Sequence, residues 1–302
     1  MEGAGIMQDF RMETFLQVCK YMNYTKAAEA LSITQPAVSQ HIRFLEESYG
    51  APLFLREGKR IRLTRAGAML RDMASRLKND EAHFRKLIRA AGRQREYSFG
   101  ATLSAAEFML ADGLERLLAR PDLRIRLQVD NTKRLLEELE EGRIDFALVE
   151  GDFPRQRYAC HLFRREPFIP VAAPDLAERY RGRAMADLAA ERLIVREPGS
   201  GSREIQVNAL RSAGLSLADF PDRTELANIG LIKELLARGQ GVSFMYRVAA
   251  EREMAEGRLA PVELKGFALE HDVMFIYRKD TLFEEEFRKI FAILREGGGD
   301  TE

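Results

Sequence analysis

A short run of polar side chains is the part of this chain whose residue types and spacing could do chemistry. Gln35, Ser39, Gln40 and Arg43 fall on one face of a predicted helix, near its N-terminus. Short or forked hydrogen-bonding groups of this kind read base edges and contact phosphates when a helix enters the major groove. The run therefore predicts a recognition helix that binds DNA.

The predicted recognition helix begins at Thr34, whose side chain is suited to cap the first free backbone amides. Pro36 falls in the first turn, where a missing amide is tolerated. Apolar residues then recur at helical spacing and are expected to face a core: Val38, Ile42 and Leu45. An earlier helix with the small residues Ala27 and Ala28 would let the recognition helix cross closely, as a helix-turn-helix requires.

A two-stranded wing is predicted directly after this helix. Residues 49–52 form a helix stop, residues 53–55 begin the first strand, and Gly58 permits the turn. The basic side chains of the wing, expected to face phosphates, are Arg56, Lys59, Arg60 and Arg62. A charge run by itself is more often a solvated face, but its position after a helix-turn-helix favours DNA contact.

A long helix is predicted over residues 64–91, because no proline interrupts them and Thr64 can cap the start. Its apolar residues follow a heptad-like period that Asp80 breaks: Leu70, Met73, Leu77, Phe84, Leu87 and Ala91. A single helix cannot bury such a seam, so we expect a dimerisation helix; packing against its own domain is the alternative. Gly92 and the basic residues after it mark a hinge.

Beyond Tyr97, predicted strands and helices alternate, which indicates a parallel α/β arrangement. The predicted strands are 97–103, 124–130, 146–149, 168–172, 193–195, 223–226, 242–245 and 271–277. The predicted helices are 105–118, 132–141, short ones near Leu176 and Leu188, 203–213, 229–238 and 283–294. Two α/β lobes fit this series better than one, and residues 297–302 are expected to be a frayed tail.

The charge of the chain is unevenly distributed. The 302 residues are 46% hydrophobic and 31% charged, with a formal net charge of zero. Residues 1–96 hold 17 Lys and Arg against 11 Asp and Glu, a charge of +6, so the remainder carries −6. A basic N-terminal module ahead of an acidic body is expected of a DNA-binding domain attached to a second domain.

Cysteine, histidine and hydropathy patterns disfavour several classes of protein. Cys19, Cys160 and the four scattered histidines lack the spacing of a metal site or a redox pair. We therefore expect no metal, no cofactor and no structural disulfide. No apolar run reaches the roughly 20 residues that span a bilayer, and residues 1–11 lack a signal-peptide pattern. A cytoplasmic protein without membrane contact is expected.

Residues 7–65 resemble the N-terminal domain of LysR-type transcriptional regulators. The matching residues are Phe15, Ala27, Ala28, Leu31, Thr34, Gln35, Pro36, Ala37, Val38, Ser39, Ile42, Leu45, Glu46, Gly50, Leu53, Phe54, Arg56, Leu63, Thr64, Ala66 and Gly67. The resemblance implies a multi-domain chain: a winged helix-turn-helix domain dominated by α-helix (7–65) and a linker helix that dimerises (66–94). A two-lobed α/β effector domain similar to type 2 periplasmic binding proteins (95–302) would follow. Lobe I would span approximately 97–166 and 267–296, and lobe II approximately 167–266.

The resemblance also implies partners. Members of this family bind interrupted palindromic promoter sites on double-stranded DNA, commonly as homotetramers built from dimers, and respond to a small-molecule inducer between the lobes. RNA polymerase is a further partner that it allows. The residues placed at DNA by motif are Thr25, Thr34, Gln35, Pro36, Ser39, Gln40, Arg43, Arg56, Lys59, Arg60 and Arg62. For Thr25 and Thr34, helix capping is the favoured role.

Two hydroxyl-rich turns mark the candidate effector site. Residues 102–104 and 198–203 lie where predicted strands lead into helices, and helix N-termini offer free amides to an anion. In α/β lobes such turns open on the cleft. We therefore expect a small anionic effector. The candidate residues are Thr102, Ser104, Asn131, Ser200, Ser202, Arg203, Asn228 and Tyr246. Each could instead only cap a helix or form a turn.

The leading hypothesis is a sequence-specific transcriptional regulator that performs no catalysis. Residues 198–203 have neither the spacing of a nucleophile elbow nor the lysine of a P-loop. A solute-binding protein or enzyme built on the C-terminal lobes is the main alternative, and it would need an export signal or a catalytic set that the sequence does not show. The polar reading face at residues 35–43 disfavours an architectural protein that binds DNA without sequence preference.

Overall fold

The N-terminal part of the chain folds into three helices and a wing. The computed structural model describes residues 9–58, 60–90 and 94–295. The first elements are α1 (Phe10–Tyr21), α2 (Tyr24–Leu31), α3 (Gln35–Tyr49), β1 (Phe54–Glu57) and β2 (Arg60–Leu63). The wing strands pair antiparallel, with Phe54 opposite Leu63, so the predicted wing is confirmed. Helix α1 was not predicted, and it supplies the fully buried Phe15 and Val18 to the core of this domain.

Helix capping follows the sequence prediction in one helix and departs from it in another. Thr34 caps α3, because its hydroxyl accepts a hydrogen bond from the Ala37 amide at 3.3 Å. Helix α2 is capped by Asn23, whose side-chain oxygen accepts from the amides of Thr25 and Lys26 at 2.9 and 3.0 Å. The prediction that Thr25 is a cap is therefore wrong, since Thr25 already lies inside the helix.

The long helix α4 (Arg65–Arg89) leads from the wing to the C-terminal domain. Thr64 caps it by accepting from the Gly67 amide at 2.9 Å, as predicted. A Cβ on Gly67 would lie 2.1 Å from the backbone oxygen of Leu53, so only glycine lets the helix approach the wing this closely. The predicted seam residue Ala91 lies outside the described residues, as do Lys59, Gly92 and residues 297–302.

The C-terminal domain consists of two α/β lobes, as predicted. Its strands are β3 (Arg95–Ala101), β4 (Leu123–Val129), β5 (Phe146–Val149), β6 (Tyr158–Ala172), β7 (Leu193–Val195), β8 (Arg223–Glu225), β9 (Val242–Tyr246), β10 (Ala260–Pro261) and β11 (Glu270–Arg278). Its α-helices are α5 (Leu103–Phe108), α6 (Ala111–Leu118), α7 (Thr132–Glu140), α8 (Pro174–Arg179), α9 (Gly201–Ser212), α10 (Ile229–Ala237), α11 (Arg247–Ala255) and α12 (Glu284–Arg295).

Two long strands join the lobes into one sheet of order β4-β3-β5-β11-β6-β9-β7-β8, with β10 paired to β6. In lobe I, β3 is parallel to β4 and β5; in lobe II, β7 is parallel to β8 and β9. Strand β11 pairs antiparallel along its whole length with residues 158–167 of β6, and both strands belong to both lobes. The ends of β3, β5 and β7 and the starts of the following helices therefore meet where the lobes face each other.

Besides the unpredicted α1 and β10, three elements differ from the prediction. The predicted helix 105–118 is two helices, α5 and α6, that meet at residues 109–110. Strand β6 begins at Tyr158, ten residues before the predicted start, because its first half includes charged residues that pair across to β11 and lack an apolar alternation. Helix α11 was not predicted; its charged residues carry no clear apolar stripe. No helix among the described residues is long and apolar enough to cross a membrane.

Candidate DNA interface and effector cleft

The reading face of α3 is exposed and is held in place from behind. Val38, Ile42 and Leu45 are buried in the N-terminal core. On the opposite side Gln35 and its neighbours face solvent, and the Gln35 amide donates to the Ser39 hydroxyl at 2.9 Å. The exposed members of the predicted set on this helix are Gln35, Pro36, Gln40 and Arg43, while Ser39 is half-buried. The structure thus leaves hydrogen-bonding groups free on one helical face.

The wing presents basic side chains beside α3. Arg56, Arg60 and Arg62 are exposed, and the Arg56 guanidinium lies 5.9 Å from the Tyr24 ring centroid. Glu46, near the end of α3, accepts hydrogen bonds from the amides of Leu53 and Phe54 at 2.8 and 3.4 Å. This carboxylate fixes the wing to the reading helix, a positioning role that the sequence patterns did not reveal.

Helix α4 buries polar residues and exposes apolar ones. Asn79, Asp80 and His83 are buried against lobe I. The His83 ring nitrogens lie 3.0 Å from a carboxylate oxygen of Asp145 and 3.3 Å from one of Glu286. The apolar side chains left exposed on the helix are Met69, Leu77, Phe84 and Ile88.

The predicted seam is therefore divided between two environments. Leu70 is buried and Met73 packs against the N-terminal core, whereas Leu77 and Phe84 remain exposed. Asp80, which breaks the apolar repeat, accepts a hydrogen bond from Thr281 of lobe I. One face of the helix thus packs on its own subunit, and an apolar face is left without cover within the described chain.

The centre of the cleft between the lobes is occupied by the Glu150 carboxylate, which follows β5. It accepts a hydrogen bond from Ser202 of lobe II at 2.6 Å and one from Ser104 of lobe I at 3.2 Å. Burial raises the pKa of Glu150 above its ordinary value. The structure therefore brings Ser104 and Ser202 together, as predicted from the two turns, around a residue that was not among the candidates.

Tyr246 and Thr102 lie in the same buried region. The Tyr246 hydroxyl lies 3.3 Å from Nδ1 of His271, and it is close enough to Glu150 to lower the pKa of that carboxyl. The Thr102 side-chain hydroxyl is buried and has no hydrogen-bond partner within the described part of the chain. Glu150 directly follows a predicted strand and His271 begins another, and their place at the lobe boundary is the signal in the sequence that could have found them.

The other candidate residues have local partners. Asn131 caps α7 through the Arg134 amide at 3.0 Å, and Asn228 caps α10 through the Leu231 amide at 2.8 Å. Arg203 pairs with Glu225 within lobe II at 2.7 Å. Ser200 is buried at the start of α9 and makes no side-chain capping bond. Asn131 also borders the cleft, since a Cβ on Gly199 would lie 3.3 Å from its side-chain oxygen.

Comparison with known families agrees with this division of the chain. Residues 10–68 match the profile described as "Bacterial regulatory helix-turn-helix protein, lysR family", and residues 90–299 match "LysR substrate binding domain". The chain belongs to the LysR family of transcriptional regulators. Such regulators combine DNA binding with an effector-binding domain, so this LysR-type chain is a transcriptional regulator.

Full-length LysR-type relatives are similar along most of the chain. The regulator CbbR of Xanthobacter flavus is 28% identical over 262 residues, covering 85% of this chain and 78% of the relative. CysL of Bacillus subtilis is 28% identical over 272 residues, covering 88% and 89%. Both relatives are described as HTH-type transcriptional regulators.

Solved LysR-type structures share the fold. ArgP from Mycobacterium tuberculosis superposes with a TM-score of 0.60 at 18% identity, covering 96% of this chain and 98% of ArgP. Full-length LysG of Corynebacterium glutamicum with its bound effector Arg gives a TM-score of 0.59 at 16% identity, covering 96% and 97%. The winged helix-turn-helix, the linker helix and the two-lobed domain thus recur in the same order.

Proposed function

We propose that α3 selects the promoter sequence of this LysR-type regulator and that the wing supplies sequence-independent affinity. The observation that carries the proposal is the exposed polar face of α3, anchored from behind by Val38 and Ile42. Gln35, Ser39 and Arg43 would contact base edges. Arg56, Arg60 and Arg62 would contact phosphates, and the family motif extends the phosphate-contacting set to Lys59 and to the helix starts at Thr25 and Thr34.

We further propose that the linker helix (66–94) makes a homodimer. Its exposed Leu77, Phe84 and Ile88 form an apolar strip on a helix whose other face is already buried. A second copy of the same strip can cover it, because contact between the same surfaces of two chains buries the apolar strip of each. Two such dimers would form the homotetramer that binds an interrupted palindrome, with RNA polymerase as a further partner.

The effector-binding site is proposed to lie between lobe I and lobe II, where Ser104, Ser202 and Tyr246 converge on Glu150. Buried hydroxyls at the start of α9 support a small anion as the ligand. None of these groups forms a nucleophile, base and orienting-group set, which supports a regulator without catalytic activity. Its membership of a DNA-binding family supports a cytoplasmic location. Among the described residues, no group of three His, Cys, Asp or Glu could hold a metal ion.

The proposal that α3 reads the DNA sequence is tested by measuring how much substitutions in α3 and in the wing weaken binding to two different duplexes. The native chain first selects duplexes from a random pool, and dissociation constants are then measured on the selected and a scrambled duplex. Gln35→Ala with Ser39→Ala should lose roughly 1–3 kcal/mol per base contact on the selected duplex alone. Arg60→Ala should weaken both duplexes alike and reduce the salt dependence.

Arg181→Ala in lobe II is the matched control, because that arginine is exposed and far along the chain from the wing. It should leave both dissociation constants unchanged. Equal losses on both duplexes for the Gln35 and Ser39 changes would exclude sequence reading by α3.

A further inference from the structure

Glu150 is a buried carboxylate that forms no salt bridge with any residue in the described part of the chain. Its side chain is 2% exposed in relative area, and its hydrogen bonds come from the hydroxyls of Ser104 and Ser202. Arg196 is near enough to lower the pKa of Glu150, but its guanidinium donates to Glu197 at 2.8 and 3.1 Å. Burying a carboxylate without a paired charge is unfavourable, so this arrangement calls for a reason other than stability.

The surroundings of Glu150 hold hydrogen-bonding capacity that is not used. One oxygen of Glu150 and the hydroxyl of Thr102 are buried and have no hydrogen-bond partner among the described residues. Helix α9, twelve residues long, begins at Gly201 beside this carboxylate, and the side chain of its N-cap residue Ser200 accepts no hydrogen bond from the free amides. Hydroxyls and a free helix N-terminus together form a site for an oxyanion, and Glu150 places an oxyanion there from within the chain.

The hydroxyl oxygens of Ser104 and Ser202 lie 3.3 Å apart and both donate to the same oxygen of Glu150, so no further atom fits between them while Glu150 is in place. A Cβ on Gly201 would lie 2.4 Å from the Glu150 backbone oxygen and 2.5 Å from its Cγ. Gly151, at φ +83°, approaches Gly201 so closely that its own Cβ would lie 2.7 Å from the Gly201 Cα. A group that enters between Ser104 and Ser202 must therefore replace the carboxylate of Glu150.

We propose that Glu150 is an internal occupant of the effector's oxyanion site, and that a small oxyanion effector binds by displacing this carboxylate from Ser104 and Ser202. The inference rests on the proposed anionic effector and adds how the native chain excludes weak anions. Two anions cannot share one buried set of donors, because their repulsion is strong where water is absent. The effector's affinity is thus set by its competition with Glu150.

The test measures sulfate binding by equilibrium dialysis of the full chain with radiolabelled sulfate at constant ionic strength. Glu150→Gln and Glu150→Ala should bind sulfate about tenfold more tightly than the native chain, or better, with Ala showing the larger gain. Adding Ser202→Ala to Glu150→Ala should abolish that gain. Glu150→Gln preserves the side-chain shape, so it carries the test if the Ala variant does not fold.

Glu204→Gln is the matched control. Glu204 is another carboxylate at the lobe boundary, where it accepts from the Asp152 amide at 3.0 Å and lies outside the hydroxyl pair. An equal gain in this control, or no gain in either Glu150 variant, would overturn the proposal. It would also be overturned if radiolabelled methylammonium bound the native chain and Glu150→Gln abolished that binding, because Glu150 would then be a ligand for a cation. DNA binding is measured separately, in the absence of sulfate. Failure of the proposed regulator function and failure of this inference can therefore be distinguished.

Discussion

The reading helix α3 and the linker helix α4 distribute their side chains in opposite ways. Helix α3 buries Val38 and Ile42 and exposes polar groups, whereas α4 buries Asp80 and His83 and exposes Leu77. The apolar face of α3 finds its cover within one short domain. The apolar strip of α4 that includes Leu77 and Phe84 has no cover in the described chain, and the buried face of the helix meets the carboxylates of Asp145 and Glu286. An amphipathic pattern therefore indicates that one face of a helix needs a packing partner. It does not indicate whether the same chain or another chain supplies that partner.

The largest expected effect comes from a substitution in the buried apolar stripe of α3. Ile42→Ala removes a side chain that is 2% exposed in the N-terminal core, so the free energy of unfolding of that domain should fall by about 2–5 kcal/mol. Urea unfolding followed by circular dichroism measures this loss. Leu77→Ala, the same kind of truncation on the exposed face of α4, is the control. If Leu77→Ala caused an equal loss in dilute protein, the contrast between the two helices would be wrong.

The next effect tests the buried polar face of α4. Hydrogen bonds from His83 to Asp145 and Glu286 outweigh the cost of burial and raise the pKa of His83 to about 9. A raised pKa stabilises the folded chain below the unfolded value near 6.5, and this contribution disappears as pH rises through 9. His83→Gln should therefore destabilise the chain by up to about 3 kcal/mol at pH 6 and by much less above pH 9.5.

The measurement for His83 is urea unfolding of native and variant chains across that pH range. His161→Gln serves as the control, because burial lowers the pKa of His161. The destabilisation caused by His161→Gln should therefore not increase toward low pH. If the difference in unfolding free energy between the native chain and His83→Gln did not change with pH, His83 would be uncharged where it packs against lobe I.

A smaller effect tests the exposed face of α4. Replacing Leu77 and Phe84 together by Ser should weaken self-association by about tenfold or more, because both side chains are nearly half exposed in one chain and would be buried between two. Sedimentation velocity over a concentration series measures the change. Leu118→Ser, at an exposed leucine of lobe I, should leave association unchanged. An unchanged dimer in the double variant would assign the interface to another surface.

The smallest effect distinguishes the two threonines at the helix starts of the reading domain. Thr34→Ala removes the cap of α3 and should cost about 1 kcal/mol of unfolding free energy. Thr25→Ala should cost less, because Asn23 caps α2. Thermal unfolding of the two variants side by side gives the difference, and a larger loss for Thr25 would contradict the observed capping.

The sequence was most informative where structure is decided locally. The cap at Thr34, the stripe from Val38 to Leu45 and the wing all depend on residues a few positions apart, and they were predicted correctly. The cleft depends on Glu150 and Ser202 meeting across 52 positions, which no local pattern encodes. The first half of β6 was missed for a related reason: its charged residues are paired across the sheet, and only the partner strand explains them.

Strand β11 connects the cleft to the linker helix. At one end, His271 lies beside Tyr246 in the cleft; at the other, Arg278 donates to the backbone oxygen of Asp72 in the linker helix at 3.1 Å. The seven steps between them span about 23 Å of extended chain. Hydrogen bonds to β5 and β6 keep this strand from stretching. One continuous strand therefore contacts both the cleft and the helix that leads to the DNA-binding domain.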